Sequence, residues 1–465
     1  MNYKEKLKLL KCVAYTLRYR GGDMPYPPLI AWQEILKFQD IKRAWQKISL
    51  DILSGRQRQD KVGIYLHIPF CVTKCFYCNC VSFPQLQRSE HKTYLNCLEK
   101  EIKLLDFHKE IEIRTFYIGG GTPSIFEDDL LERLMNRVRK SFNLSGCQQI
   151  MTEISPYTIT RSKIRILTNF GVDKVTLGIQ TLDSALLKKL NRPQEKAMVL
   201  NAFYQLRKSG MKYINIDLMA GLPQQRTESF IKTLMQILKL KPDTIHINPF
   251  FPTSFTLFSS TGHHLGWPDI KKREKMVQIG QKLIRQILPA ALEKDELEKE
   301  NIQLFNSSKF NSSLLGLGWG AGSHIRGRFH YAKNLNFNNY LENLRKNTFP
   351  EIFGTSLNQE EEMRANLIHA FEREQQVDRK IFNMLFNQDP LLVFKKEFQS
   401  LISLNRIKIE SDTIRLITQN RIELFIYSKF FYSPKIMSKL RKIINPGMKE
   451  YQNLDFKLAQ FYDRD

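Results

Sequence analysis

Tyr65-Leu66-His67-Ile68-Pro69-Phe70-Cys71-Val72-Thr73-Lys74-Cys75-Phe76-Tyr77-Cys78-Asn79-Cys80 opens as an apolar strand-like run and closes as a loop carrying four cysteines. A loop at the end of a first strand is where a βα connection begins, and in α/β barrels those connections form the active-site face. Three of the thiols, Cys71, Cys75 and Cys78, follow a C-x3-C-x2-C spacing. Three thiolates on one loop can hold three irons of a cubane and leave the fourth open to a ligand. A zinc site needs four ligands, usually from two paired knuckles, and the sequence offers no second C-x2-C pair. His67 reads as a strand residue packing under the loop, and Cys12, Cys97 and Cys147 as isolated packing residues.

Outward from that loop, a strand-like run followed by a helix-like one recurs at spacings of roughly 30 residues, the length of a βα unit. The strands expected are Val62 to Ile68, Ile113 to Ile118, Gln149 to Ile154, Lys174 to Ile179, Tyr213 to Leu218 and Thr244 to Asn248. Amphipathic stretches lie between them, among them Ser89 to Phe107, with an N-cap serine, and Asp128 to Phe142; Gly171 and Gly210 read as helix ends. The pattern implies an α/β fold, either a barrel or an open sheet, with its site at the strands' C-terminal ends; the fold class expected is a partial (β/α)6 TIM-like barrel. Beyond it, Asp269 to Ile287 reads as a helix and Leu315 to Ser323 as a glycine-rich turn or strand.

The C-terminal part reads as helices over Glu360 to Glu372, Arg379 to Phe386 and Leu391 to Leu404, then short strands at Ile407 to Glu410 and Thr413 to Thr418. That order suggests a small α+β, winged-helix-like domain. The units expected are an N-terminal extension over 1–61, the barrel with its additions over 62–350, and the C-terminal domain over 351–465.

Of 465 residues, 42% are hydrophobic and 11% aromatic, the composition of a globular protein. No apolar run reaches membrane-spanning length and the N-terminus lacks a signal-peptide pattern, so the expectation is a cytoplasmic protein without membrane insertion. Seven cysteines with four crowded between 71 and 80 are not a disulfide framework. Seventy-one Lys and Arg against 47 Asp and Glu give a net charge of +24, which favours anionic partners. Nucleic acid, an anionic membrane surface or a polycarboxylate substrate would each fit, as would a basic solvated surface with no dedicated partner; the basic residues are scattered among acids in no nucleic-acid-module pattern, which makes nucleic acid the less favoured of them.

Further motifs follow in order: Gly119-Gly120-Gly121-Thr122-Pro123, Glu153 in Thr-Glu-Ile-Ser-Pro, Gly178-Ile179-Gln180, Arg192 in Asn-Arg-Pro-Gln, and Asn215 to Pro223 containing Asp217. With the cysteine loop, they resemble the radical S-adenosylmethionine (SAM) superfamily, and within it the oxygen-independent coproporphyrinogen III oxidase-like branch. The resemblance covers residues 62 to about 250 and is weaker beyond.

It implies a [4Fe-4S] cluster on Cys71, Cys75 and Cys78, and SAM held by Tyr65, Tyr77, Gly120, Gly121, Thr122, Glu153, Gln180, Arg192 and Asp217. Each also has a chemical rationale of its own. Glycines let backbone approach a ligand, Glu153 can accept from an ammonium or hydroxyl, Arg192 can pair a carboxylate, and Asp217 can accept from hydroxyls. Gln180 can serve cofactor or substrate, Tyr65 can equally be interior packing, and Glu153, Arg192 and Asp217 can be structural strand-end or cap residues.

The implied reaction is one-electron cleavage of SAM, supplied by an electron donor. Hydrogen abstraction from a propionate of an anionic tetrapyrrole, followed by loss of carbon dioxide and of one electron to an acceptor, then gives a vinyl group, with Cys80 active in turnover. Two alternatives share the motifs: a methyltransferase or cyclopropane-forming enzyme using two SAM molecules, and a haem chaperone. The chaperones typically lack a cysteine where this chain has Cys80. A DNA-binding regulator is the remotest reading.

Overall fold

The architecture comes from a computed structural model that describes residues 26–54, 61–106, 109–250, 270–291, 312–418 and 421–443. The strands in chain order are β1 (Glu34–Leu36), β2 (Lys61–Ile68), β3 (Phe70–Cys71), β4 (Phe83–Pro84), β5 (Ile113–Gly120), β6 (Gln149–Ile154), β7 (Lys174–Gln180), β8 (Tyr213–Ala220) and β9 (Thr244–Pro249). After them come β10 (Ser312–Leu317), β11 (Gly322–Ile325), β12 (Phe329–Lys333) and β13 (Ile352–Ser356).

Strands β2 and β5 to β9 are the six read from sequence. They pair in that order, all parallel, as the βα repeat requires. Val62, Ile64, Leu66 and Ile68 are all buried on β2, and the whole set forms the wall of a partial barrel. Each of β5, β7, β8 and β9 runs one or two residues past its expected end, which carries Gly120, Gln180 and Ala220 onto the strands.

The sheet continues past β2. Strand β10 joins it in parallel, and β11, β12, β13 and β1 follow antiparallel, making eleven strands in the order β1-β13-β12-β11-β10-β2-β5-β6-β7-β8-β9. The glycine-rich stretch is thus the end of β10, a turn and the start of β11. It is tied down by Glu101, whose carboxylate accepts from the Gly318 N–H (3.1 Å), the Tyr340 hydroxyl (2.6 Å) and Lys333 Nζ (2.8 Å) in a buried network.

The helices follow amphipathic spacing. Asp128–Ser141 buries Leu130, Leu131, Leu134, Met135 and Val138 on one face, and acids in its first turn and bases in its last oppose the helix dipole. Arg161–Phe170 ends at Gly171, whose φ of 104° is the left-handed cap conformation glycine adopts freely. The Arg88–Leu105 helix differs from expectation: its N-cap is Gln87, so Ser89 lies inside the first turn, and Phe107 lies outside the described residues.

A second apolar core gathers Leu367, Phe371, Phe382, Phe398, Ile414 and Phe431 from the C-terminal residues. Its helices include Gln359–Glu374 and Arg379–Phe386; the single helix expected over Leu391 to Leu404 is two, Pro390–Val393 and Lys395–Ser403. A three-stranded antiparallel sheet joins β14 (Gln376–Asp378), β16 (Thr413–Leu416) and β15 (Ile407–Ile409), and β14 was not expected. Tyr26 belongs to this core, its hydroxyl donating to Glu361 at 2.6 Å. Cys12 lies outside the described residues, as do the rest of residues 1–25. Among the described residues, no helix is long and apolar enough to cross a membrane.

Candidate functional site

The cysteine loop leaves the C-terminal end of β2 and is fastened on two sides. On one side Phe83 N–H donates to Pro69 C=O (3.0 Å) and Gln85 N–H to Cys71 C=O (3.0 Å). On the other, Phe76 N–H donates to Leu190 C=O (3.1 Å), Thr73 Oγ1 to Asn191 C=O (3.0 Å) and Asn191 Nδ2 to Lys74 C=O (3.1 Å). The Asn191-Arg192 segment, far away in sequence, therefore clamps the loop that carries the thiols.

Beneath the loop lies the Gly119-Gly120-Gly121 turn. A Cβ on Gly120 would stand 2.7 Å from Ile68 C=O, and one on Gly121 would stand 2.5 Å from Phe70 C=O and 2.9 Å from Cys71 Sγ. The N–H groups of Gly121 and Thr122 donate to Ile68 C=O (2.7 Å) and Phe70 C=O (2.8 Å). The missing side chains of Gly120 and Gly121 make room for the cysteine loop.

His67 braces the loop from below. Its Nε2 lies 2.7 Å from Val81 C=O and its Nδ1 2.9 Å from Tyr65 Oη. A carbonyl only accepts, so Nε2 carries the proton and Nδ1 accepts from Tyr65. Burial pulls the imidazole down to about 4, which keeps it neutral in this role. Tyr94 Oη donates to His67 C=O (2.6 Å) and accepts from Trp319 N–H (3.1 Å), which ties the same strand to the glycine-rich turn.

Strand register puts the polar candidates side by side. Tyr65 is opposite Tyr117, His67 opposite Gly119, Glu153 opposite Thr176, and Gly178 opposite Asp217. Tyr117 donates to Glu153, and a Cβ on Gly119 would meet Glu153 Oε1 at 3.0 Å and the Tyr65 ring at 3.1 Å. Burial, then the neighbouring Asp217 charge, push the Glu153 carboxyl up to about 7 against the Tyr117 bond. Asp217 Oδ1 accepts from Asn215 Nδ2 (2.7 Å) and lies 3.3 Å from His246 Nδ1. Gln180 takes a φ of 68° at a β7 irregularity that turns its side chain toward Gly178.

Each of the three motif sulfurs meets a donor from outside the cysteine set. Thr122 Oγ1 lies 3.6 Å from Cys71 Sγ, Arg192 Nη1 3.8 Å from Cys75 Sγ, and Lys74 Nζ 4.0 Å from Cys78 Sγ. Arg192 also donates to Tyr77 Oη (2.9 Å) and Gly178 C=O, and its guanidinium lies 5.4 Å from the centre of the Tyr157 ring. A hydrogen bond with Cys80, then Lys74, pull the Cys78 thiol down to about 5; the same bond pushes Cys80 up, and burial pushes Cys71 up to about 11. Cys80 is also close enough to feel the Glu153 charge.

All the candidate residues thus gather at one end of the barrel. Sequence reading missed Lys74, Tyr117 and Tyr157. Tyr117 was within reach of it, since it lies two residues before Gly119 on the same strand and so on the same face.

The profile of the Radical SAM superfamily matches residues 65–237. The heme chaperone HemW of Buchnera aphidicola is 31% identical over 229 residues, 48% of this chain and 59% of the chaperone, so this chain spans less than two thirds of that relative's length. The oxygen-independent coproporphyrinogen III oxidase of Helicobacter pylori J99 is 28% identical over 399 residues, 81% of this chain and 85% of the relative. Among solved structures, the coproporphyrinogen III oxidase HemN of Escherichia coli superimposes with a TM-score of 0.75 at 20% identity, over 88% of this chain and 96% of that one.

Radical SAM proteins use a [4Fe-4S] cluster and SAM. The residues present fit such a cluster: three free thiols on one loop, a donor facing each sulfur, and a glycine floor that a Cβ would fill. Among the described residues no three His, Cys, Asp or Glu side chains converge on a single metal ion; a cubane spreads its ligands over three irons and does not require them to. Residues 65–237 thus match the domain of the Radical SAM superfamily, and the relatives to which the chain is similar are named as oxygen-independent coproporphyrinogen III oxidases and heme chaperones.

Proposed function

We propose that the chain is an oxidase of the oxygen-independent coproporphyrinogen III type, converting propionate side chains of a porphyrinogen to vinyls. The observation that carries this reading is Cys80, a fourth thiol outside the three-ligand set. It is hydrogen-bonded to Cys78 and sits close to Glu153 and Tyr65 at the centre of the site. A net charge of +24 suits a polycarboxylate substrate.

In this reading Cys71, Cys75 and Cys78 ligate the cluster. When bound, cluster and SAM would supply one-electron cleavage of the sulfonium and hydrogen abstraction from the substrate, the electron coming from an external donor, and formation of the vinyl would release carbon dioxide and pass one electron to an external one-electron acceptor. The remaining work is positioning. Arg192 pairs the cofactor carboxylate, Glu153 accepts from its ammonium or ribose, and Asp217 accepts from a hydroxyl. Tyr65 and Tyr77 flank the cofactor, Gln180 orients cofactor or substrate, and Gly120, Gly121 and Thr122 hold the cysteine loop. Deprotonation of Glu153 is favoured once a cation binds beside it.

A second reading, a haem carrier, is supported by the 31% identity to a relative named heme chaperone. Cys80→Ser separates the two. In an oxidase the variant keeps cluster and cofactor binding and loses most product formation, the pattern of a residue that acts in turnover. In a carrier, haem binding and transfer are untouched. A Cys80→Ser protein with full porphyrinogen turnover removes the support that Cys80 gives to the oxidase reading.

A further inference from the structure

We propose that Lys74 is a redox-tuning residue, a fixed positive charge held against the Cys78 sulfur that raises the reduction potential of the cluster. The inference rests on the ligand assignment above and goes further, to a residue that is neither ligand nor cofactor contact.

Lys74 lies between the first two cysteines of the loop, and its side chain folds back under the third. Only 8% of the residue is exposed. Nζ donates to Cys80 C=O at 2.6 Å and to Ser82 Oγ at 3.0 Å, and it reaches Cys78 Sγ at 4.0 Å. An ammonium has three protons, and these three acceptors use them all. None of the three is an acid, so no carboxylate among these contacts neutralises the charge. In a buried setting that charge acts on the adjacent sulfur with little screening.

The donors at the other two sulfurs differ in kind. Thr122 brings a neutral hydroxyl to Cys71. Arg192 brings a cation to Cys75 but is shared with Tyr77, Gln194 and Gly178, and in the proposed function also with the cofactor carboxylate. Lys74 is therefore the cation committed to the cluster side of the loop. Hydrogen bonds to ligand sulfurs and nearby net charge are the levers by which a protein sets a cluster's potential. A cation stabilises the reduced form, which carries one more negative charge. Reduction here adds one electron from a low-potential donor such as dithionite, with no bond made or broken and no proton moved.

The test is a redox titration of the reconstituted protein, followed by the paramagnetic signal of the reduced cluster, with no turnover involved. Lys74→Met removes charge and donor; Lys74→Gln keeps a donor for Cys80 C=O or Ser82 and removes the charge. Both are expected to lower the ratio of reduced to oxidised cluster at a fixed potential about tenfold, a shift of about 59 mV for one electron. Lys74→Arg is expected to stay near the unaltered protein. Equal midpoints in the neutral variants overturn the proposal. So does an Arg variant that falls as far as the neutral ones, or neutral variants that assemble no cluster, since Lys74 is then required for assembly and not for tuning. If the unaltered protein assembles no cluster, the ligand assignment itself has failed.

Discussion

Arg192 donates to the Tyr77 hydroxyl at 2.9 Å, joining the Asn-Arg-Pro-Gln segment to the cysteine loop at the place where the cofactor carboxylate is proposed to bind. The guanidinium already serves Cys75 Sγ, Gln194 and Gly178 C=O. A carboxylate therefore reaches it by exchanging one of these weaker partners for a charge-assisted one.

Replacing Arg192 by Ala is expected to weaken SAM binding about ten- to hundredfold, the loss of one hydrogen bond to a charged group at roughly 1.5–3 kcal/mol. Asp217→Ala is expected to weaken it less, because its carboxylate is partly occupied by Asn215. Calorimetry on anaerobic, cluster-loaded protein reads both. Unchanged affinity in both variants assigns these residues to fastening the strand ends.

Cys71→Ala, Cys75→Ala and Cys78→Ala are each expected to abolish cluster assembly, since three ligands are the fewest that leave one iron open. Cys80→Ala is expected to keep the cluster. Iron content and visible absorption decide, and a Cys80→Ala protein without cluster shows that the ligands are wrongly assigned.

The barrel was legible because its signals are local. Six buried apolar runs and the amphipathic stretches between them place β2 and β5 to β9 to within two residues. What could not be read depends on long-range pairing. Strand β1 is held by β13, which lies more than 300 residues later, and no periodicity in Glu34 to Leu36 announces that. Strand β14 is three residues long and exists because β16 pairs with it. In the site, motif residues stood out by type and position. Lys74 looks like any loop lysine until its side chain is seen folded under Cys78, and Tyr157 meets Arg192 only once a loop brings it there.

Gly120→Ala and Gly121→Ala test the floor of the cysteine loop. A Cβ would stand 2.7 Å from Ile68 C=O or 2.5 Å from Phe70 C=O, and neither backbone can yield without moving the loop. Each is expected to cost about 1–3 kcal/mol and to lower the cluster content after reconstitution. Chemical denaturation and iron analysis read the two effects; full stability and full iron content contradict the packing role.

Glu153 makes the stability of the cofactor-free protein depend on pH. Its carboxyl is pushed from 4.5 up to about 7, so the folded protein holds this proton more tightly than the unfolded chain. Its contribution is complete below about pH 4.5 and is lost as pH rises through about 7, with an upper bound of about 3 kcal/mol. Glu153→Gln lacks the titration. Urea unfolding at pH 5 and pH 8 is expected to show the unaltered protein losing more stability than the variant; parallel losses contradict the shifted carboxyl.

The Lys333–Glu101 pair, 2.8 Å apart and almost wholly buried, anchors the glycine-rich turn beside β2. Lys333→Met leaves Glu101 charged and short of its partner, at an expected cost of about 3–5 kcal/mol. A double variant, Lys333→Met with Glu101→Leu, is expected to recover part of that loss. A single variant as stable as the unaltered protein removes the pair from the account of the turn.

The proposed activity is tested most directly by anaerobic incubation of the reconstituted protein with SAM, a low-potential reductant and coproporphyrinogen III, followed by mass analysis of the porphyrin and adenosyl products. The account predicts loss of carbon dioxide from the substrate's propionates, vinyl products, and 5′-deoxyadenosine. Tight haem binding with the porphyrinogen returned unchanged, or methylated adducts with S-adenosylhomocysteine, would contradict it.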